Sequence, residues 1–95
     1  MYLVDMVFND MDKITTALTG AHKLYLEQEY QSGKLMFGGR KVPRTGGLLI
    51  SRHTSEDELK QVLDLDPFVR SGAVNYSITE FEAVMASSEF EHILT

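Results

Sequence analysis

The sequence predicts an α+β fold in which four strands form one antiparallel sheet and the helices cover one of its faces. Three observations favour this fold class. The 95 residues are enough for a single domain. Segments with alternating apolar and polar residues lie near both ends of residues 1–82, and segments with helical spacing lie between them. The resulting order of elements is βαββα(α)β, which is the split βαβ or ferredoxin-like arrangement.

The first third of the chain predicts a strand followed by a long helix. Residues 2–8 alternate between two sets of side chains, as a strand does. Residues 12–32 repeat apolar side chains at the spacing of a helix. Asp12 is the expected N-cap of this helix, and Ser32-Gly33 is expected to end it.

Two strands joined by a turn are predicted in the middle of the chain. The first covers residues 35–42 and contains Gly38-Gly39. An interior glycine pair in a strand indicates a bulge or a close approach by another group. Residues 43–46 form a turn of Pro, Arg, Thr and Gly, and residues 47–53 form the next strand.

The second half of the chain predicts two helices and a last strand. Residues 55–58 form a capping box, which indicates the start of a helix. Asp66-Pro67 predicts a second, short helix with Asp as its cap and Pro at its first position. Gly72 is expected to end that helix, and residues 73–81 alternate again as a strand.

The predicted strands are apolar on both faces of the sheet. In residues 2–8, Leu3 and Val7 lie on the face opposite to Met6 and Phe8. Helices cover only one face in this arrangement, so an apolar second face needs a partner. We therefore expect a homodimer in which two sheets pack face to face.

The composition excludes several classes of protein. A net charge of −5 disfavours general attraction to nucleic acid or to anionic membranes. The chain has no cysteine, which excludes disulfides and thiolate catalysis and is typical of a reducing compartment. No apolar run approaches the roughly 18 residues of a membrane span, and residues 1–11 lack the basic region of a signal peptide. We expect a cytoplasmic protein that binds neither nucleic acid nor membrane.

His22 and Asp66 are the candidate catalytic residues. His22 lies beside the apolar stripe of the first helix, between Leu18 and Leu26. An imidazole in this place either makes a structural hydrogen bond or transfers protons near neutral pH. Asp66 is expected to cap the short helix, and the same carboxylate can also orient His22 if the fold brings the two together.

Arg40 and Arg44 are candidate substrate-binding residues, with Gly38 and Gly39 as the neighbouring pocket wall. Both arginines belong to the basic cluster of residues 34–44. They either keep the surface soluble or hold a substrate carboxylate through a guanidinium group. On the residues alone, the solubility role is the favoured interpretation.

Known nucleotide and metal motifs are missing from the sequence. Gly38-Gly39 and Gly46-Gly47 lack the spacing of a P-loop or of a dinucleotide fingerprint. The remaining histidines, His53 and His92, do not stand at ligand spacing. We expect neither a metal nor a cofactor.

The order and spacing of several short segments resemble the YCII-related family, whose members are small proteins of the dimeric α+β barrel superfamily. The segments are His22-x-x-Tyr25-Leu26, Gly33-Lys34-Leu35 leading into Gly38-Gly39, Gly46-Gly47, Asp66-Pro67-Phe68-Val69-x-x-Gly72 and Tyr76-x-Ile78-x-x-Phe81. The resemblance covers nearly all of residues 1–82, which we expect to form the YCII-like domain.

The resemblance implies a ferredoxin-like subunit, a dimer and an active site formed by His22 and Asp66. Some relatives act as dehydrochlorinases on ring-cleavage-type substrates. Many relatives have Gly-Pro where this chain has Gly38-Gly39, so the pocket wall is expected to differ. Residues 83–95 extend past the usual end of the family and are expected to be a C-terminal extension, with a short amphipathic helix as one possibility.

The sequence thus predicts a small cofactor-independent enzyme that performs acid–base chemistry on a small acidic organic molecule. The reaction is an elimination such as dehydrochlorination, or an isomerisation. His22 is the predicted general acid–base, Asp66 orients it, and Arg40 or Arg44 anchors an anion. Two alternatives stay open: a ligand-binding or interaction module without turnover, and a structural dimer that the His–Asp contact only stabilises.

Overall fold

The computed structural model describes residues 1–94 and confirms the predicted ferredoxin-like fold. Its elements are β1 (Tyr2–Phe8), α1 (Thr16–Gln31), β2 (Leu35–Arg40), β3 (Gly46–Ser51), α2 (Glu56–Asp64), α3 (Pro67–Arg70) and β4 (Val74–Glu80), with 3₁₀ helices at Met11–Lys13 and Ser88–Leu94. The strands form one sheet in the order β2-β3-β1-β4. All neighbouring strands are antiparallel, as the split βαβ arrangement requires.

The hydrophobic core lies between the helices and the inner face of the sheet. The central strand β1 contributes Tyr2, Val4 and Met6, and α2 contributes Leu59 and Leu63. Each of these side chains is at most 5% exposed. Burial of one large apolar side chain stabilises the fold by roughly 1.5–3 kcal/mol, so alternation in β1 fixes which face of the sheet meets the helices.

Side-chain caps define the starts of the two helices that precede β4. Ser55, immediately before α2, accepts the Glu58 backbone N–H at 3.1 Å. Asp66, immediately before α3, accepts the Phe68 backbone N–H at 3.0 Å. Gly72 then has a φ of +79°, a left-handed conformation that glycine adopts without steric cost, and the chain turns into β4.

The predicted cap of the first helix was wrong. Asp10 accepts the Asp12 backbone N–H at 3.0 Å and closes a separate 3₁₀ turn at Met11–Lys13. The true N-cap of α1 is Thr15, whose hydroxyl accepts the Leu18 backbone N–H at 3.1 Å. The helix therefore begins four residues after Asp12, because that residue lies in a different local turn.

The glycine pair in β2 marks a close approach rather than a bulge. The irregular register between β2 and β3 lies between Leu35 and Phe37, before the glycines. A β-carbon added to Gly38 would lie 2.8 Å from the Leu48 carbonyl oxygen, whereas one added to Gly39 would meet nothing within 4 Å. Only Gly38 therefore requires glycine for reasons of space.

His53 has a structural position at the end of β3. Its Nε2 lies 3.1 Å from a Glu29 carboxylate oxygen on α1, and its Nδ1 lies 2.6 Å from the Ser51 hydroxyl. The His53 side chain is completely buried. Since both ring nitrogens have partners, His53 links α1 to the sheet and satisfies its own polar atoms.

The outer face of the sheet carries exposed apolar side chains. Phe37 is 61% exposed, Val7 46% and Leu48 41%. The register places Phe37 beside Ile50, and Ile50 beside Leu3, in one row across three strands. Within residues 1–94, no helix combines the length and the apolar character that crossing a membrane demands.

The chain continues beyond β4 into a tail with little burial. Its 3₁₀ helix, Ser88–Leu94, contains no buried residue. Val84 is 74% exposed and Met85 is 87% exposed. The predicted extension, residues 83–95, ends at Thr95, which lies outside the described residues, and its separation from the domain stays a prediction.

Candidate active site

An open cavity of about 880 Å³ lies between α1 and the strands β1, β2 and β3. Five of the six predicted site residues line it: His22, Gly38, Gly39, Arg40 and Arg44. The remaining wall is formed by Met6, Phe8, Thr19, Gly20, Lys23, Leu24, Leu26, Glu27, Tyr30, Met36, Phe37, Gly46, Gly47, Leu49 and Phe68. The fold thus brings together the cluster at residues 38–44 and the histidine of α1.

Asp66, the sixth predicted site residue, lies behind His22 and is fully buried. The His22 Nδ1 atom lies 2.9 Å from Asp66 Oδ1 and 2.8 Å from Asp66 Oδ2. Asp66 Oδ1 also accepts the Phe68 backbone N–H. One carboxylate therefore caps α3 and binds the histidine, which compensates for the cost of burying a charge.

Packing fixes the plane of the His22 ring. The His22 and Phe68 rings are stacked, with centroids 4.0 Å apart and an interplanar angle of 17°. The His22 side chain is 17% exposed. Because Phe68 follows Asp66 by two residues, α3 supplies both the hydrogen-bond partner and the stacking partner of the imidazole.

The hydrogen bond to Asp66 assigns different roles to the two ring nitrogens of His22. An ionised carboxylate only accepts hydrogen bonds, so Nδ1 carries the hydrogen and donates it to Asp66. Nε2 then holds a free lone pair in the neutral ring. Among residues 1–94 this atom has no partner. It is the atom of the dyad that can exchange a proton with a ligand.

Arg44 contacts an aromatic side chain that is linked to this pair through Phe68. Its guanidinium carbon lies 5.6 Å from the centre of the Phe8 ring, within the range of a cation–π interaction. Phe8 in turn meets Phe68 edge to face, with centroids 6.0 Å apart. A cationic group and the imidazole therefore belong to one connected wall, which suits an anionic ligand.

Sequence reasoning missed the site contributions of Phe68 and Tyr30. The sequence shows Phe68 only as part of the Asp-Pro-Phe segment, because its contact with His22 depends on how α3 packs on α1. Tyr30 follows His22 by eight residues, a helical spacing that places both on one face of α1. The sequence shows this spacing, but it does not show that β2 packs against this face of α1.

The described residues hold no group of three or more His, Cys, Asp or Glu side chains arranged to bind a metal ion. Lys41, one of the basic residues near the cavity, pairs with Asp5 at 2.6 Å. Arg40 and Arg44 are the cavity's guanidinium groups.

The described residues form a small α+β domain with a His–carboxylate pair at the wall of a cavity. The YCII-related domain family matches residues 3–82 of the chain. The chain belongs to this family, as its motifs predicted. No curated protein sequence matches the chain significantly.

The fold is similar to a solved enzyme structure. This is 5-chloro-2-hydroxyhydroquinone dehydrochlorinase from Burkholderia phenoliruptrix AC1100, in complex with 2,5-dihydroxybenzoquinone. The TM-score is 0.71 and the sequence identity is 22%, over 84% of this chain and 91% of that chain. At this identity the likeness establishes the shared fold, and the ligand named there belongs to that enzyme.

Proposed function

We propose that the protein is a small enzyme that needs no cofactor and uses His22 as its general acid–base. The observation that carries the proposal is the His22–Asp66 pair. Its Nδ1 is bonded to a buried carboxylate, its Nε2 has no partner among residues 1–94, and His22 lines the cavity. A positioned imidazole of this kind contributes about 10²–10⁴-fold to the rate of a proton transfer. Asp66 holds the ring and stabilises the imidazolium that forms.

The proposed substrate is a small, acidic, planar ring compound of the hydroxyquinone or hydroxyhydroquinone class. Arg40 and Arg44 supply the positive charge for its ionised oxygen atoms, and Gly38 and Gly39 form the wall beside them. Leu26, Phe68 and other apolar side chains line much of the rest of the cavity, together with Lys23 and Glu27. The likeness to an enzyme complexed with 2,5-dihydroxybenzoquinone supports this class of ligand.

An elimination of HCl fits this set of groups without an external oxidant. His22, as imidazolium, donates a proton to the ring carbon that carries chlorine. Its Nε2 then takes a hydroxyl proton from the ring, the O–H electron pair forms a carbonyl, and the C–Cl bond breaks with both electrons on chloride. This transfer recharges the imidazole, and a second hydroxyl proton leaves to solvent as the second carbonyl forms. The net change is the loss of HCl from a hydroxyhydroquinone, which gives a quinone.

Chloride release from 5-chloro-2-hydroxyhydroquinone tests the proposal. We expect the wild-type protein to release chloride and His22→Ala to lower kcat by about 100-fold or more. Asp66→Asn keeps the helix cap, since Asn is as good a cap as Asp, but it presents an amide to Nδ1. We expect it to lower kcat by about tenfold or more because the tautomer is no longer fixed.

Asp64→Asn is the matched control for the Asp66 variant. It is the same chemical change two residues away, at a carboxylate that accepts a hydrogen bond from Tyr76 instead of from His22. We expect its kcat to equal that of the wild type. Full activity in both His22→Ala and Asp66→Asn would refute the mechanism. Saturable binding of 2,5-dihydroxybenzoquinone with no chloride release from any chlorinated hydroquinone would indicate a binding module instead.

We further propose that the working unit is a homodimer joined through the outer face of the sheet. The row of Phe37, Ile50 and Leu3 leaves apolar area in water that a second copy of the same face would cover. In a dimer with a two-fold axis, the same surface of each subunit contacts its copy on the other subunit. Membership of the family and the ferredoxin-like sheet support this arrangement.

A further inference from the structure

Tyr30 differs from the other three tyrosines of the chain in the surroundings of its hydroxyl group. Tyr25 donates to the Val62 carbonyl oxygen at 2.7 Å, and Tyr76 donates to Asp64 at 2.7 Å. Burial, and secondly the nearby Glu80 carboxylate, raises the pKa of Tyr2. Within residues 1–94 the Tyr30 hydroxyl has no partner. Partly buried tyrosine hydroxyls usually have one.

The unpartnered hydroxyl lies at the cavity, in a space that only glycine leaves open. A β-carbon added to Gly38 would lie 2.6 Å from the Tyr30 hydroxyl oxygen and 2.5 Å from Leu49 Cδ2. It would also lie 2.8 Å from the Leu48 carbonyl oxygen, which belongs to the backbone and cannot rotate away. Gly38 therefore allows the Tyr30 hydroxyl group to lie against β2, and both residues line the cavity.

Tyr30 and His22 place two polar groups along the α1 wall of the cavity. Eight residues separate them on α1, which is about 12 Å along the helix axis. Leu26 lies midway on the same face, is 2% exposed and also lines the cavity. Helical side chains lean toward the N-terminus, so the longer Tyr30 side chain reaches further back along α1 than the imidazole does. A ligand that contacts both groups therefore has to extend along this wall of the cavity.

We propose that the Tyr30 hydroxyl is a substrate-binding donor that recognises an oxygen atom of a planar ring ligand, on the side of the ring away from His22. Gly38 is the residue that makes room for it. This inference rests on the proposed function, which supplies the acid–base centre at the other end. Burial raises the pKa of Tyr30, so the hydroxyl keeps its proton and donates to an ionised or carbonyl oxygen of the ligand.

Binding of 2,5-dihydroxybenzoquinone to Tyr30→Phe, followed by calorimetry, tests this assignment. Phenylalanine keeps the ring and removes only the hydroxyl, and circular dichroism checks the fold. A hydrogen bond to a charged group contributes about 1.5–3 kcal/mol, and about 1.4 kcal/mol is tenfold in Kd. We therefore expect Kd to rise by about tenfold or more. We expect Gly38→Ala to raise Kd as well, because its methyl group occupies the place of the hydroxyl.

Tyr25→Phe is the matched control on the same helix. Its hydroxyl binds the Val62 carbonyl oxygen and its side chain does not line the cavity, so we expect the wild-type Kd. An unchanged Kd in Tyr30→Phe overturns the assignment and leaves the proposed function standing. An equal rise in Tyr25→Phe also overturns it, since the effect is then a general property of α1. If the wild type does not bind the quinone, the inference and the proposed ligand class both fail.

Discussion

At the scale of single residues, Asp66 shows how one side chain serves both folding and a candidate reaction centre. Its Oδ1 accepts a backbone N–H at the start of α3 and both oxygens face the His22 Nδ1. A cap of this kind stabilises a protein by about 0.5–2 kcal/mol. Replacement by alanine would remove the cap and the imidazole partner together. Only the asparagine variant therefore separates chemistry from stability.

The surroundings of the Tyr76 hydroxyl group predict how the stability of the protein changes at alkaline pH. Burial, and secondly the hydrogen bond to Asp64, raises the pKa of Tyr76 from 10.0 to about 12. Because the pKa is higher in the folded state than in the unfolded state, the contribution of this group to stability is full below pH 10 and is lost as the pH rises from 10 to 12. We expect Tyr76→Phe to lower the free energy of unfolding by about 0.5–1.5 kcal/mol at pH 8, and by less at pH 11.

Urea unfolding of both proteins at pH 8, 10 and 11 measures this difference. Burial also raises the pKa values of Tyr2 and Tyr25, so the absolute stability of both proteins falls over this range. The informative quantity is the gap between the wild type and the variant. A gap that stays constant from pH 8 to pH 11 would contradict the assignment to Tyr76.

At the scale of elements, the surroundings of two glycines predict opposite effects of a Gly→Ala substitution on stability. Gly20 lies inside α1, and a β-carbon there would meet nothing within 4 Å. Gly46 begins β3, and a β-carbon there would lie 1.9 Å from the Met6 carbonyl oxygen. Gly20→Ala should stabilise the protein by about 0.5–1 kcal/mol because alanine favours the helix. Gly46→Ala should destabilise it by about 2 kcal/mol or more, since β1 and β3 must separate.

Thermal unfolding distinguishes the two glycine variants. For a domain of this size, 1 kcal/mol corresponds to a change of about 4–8 °C in Tm. We therefore expect Gly20→Ala to raise Tm by a few degrees and Gly46→Ala to lower it by about 8 °C or more. A lower Tm for Gly20→Ala would mean that this turn of α1 needs glycine for a reason other than space.

At the scale of the whole molecule, the outer face of the sheet predicts the state of association. Leu48 lies on that face and is 41% exposed, whereas Leu65 follows α2 on the helical side and is 56% exposed. We expect the wild type to have twice the chain mass of 10.7 kDa. Leu48→Lys should shift it to the mass of one chain, because a buried unpaired charge in a dimer interface is costly.

Leu65→Lys is the matched control for the association experiment. The substitution is identical and the site is more exposed, but it does not lie on the sheet. Sedimentation equilibrium of the three proteins measures the masses. A wild type that sediments as a single chain would rule out the homodimer, and dissociation by Leu65→Lys would place the interface on the helices. Until then the dimer stays a prediction, as does the cytoplasmic location.

The starts and ends of most elements could be predicted because short-range chemistry defines them. The alternation of residues 2–8 matches β1, and the Ser55 and Asp66 caps mark α2 and α3. The start of α1 could not be predicted, since Asp10, Asp12 and Thr15 are all good caps and only the local backbone decides among them. A capping side chain accepts a hydrogen bond from a backbone N–H group only two or three residues away, so its partner is always a neighbour in sequence.

The sequence by itself determined the fold class, the family and the residue types available for chemistry, because periodicity, caps and motif spacing are local properties of the chain. It also named His22, Asp66 and the basic cluster as separate segments. Only the tertiary structure decided that the imidazole meets a buried carboxylate 44 residues away. It also decided that Phe68 stacks on that ring and that Tyr30 lies against Gly38, where its hydroxyl has no hydrogen-bond partner in the described part of the chain. These contacts join α1 to α3 and to β2, and packing between elements is set by the whole core rather than by any one segment.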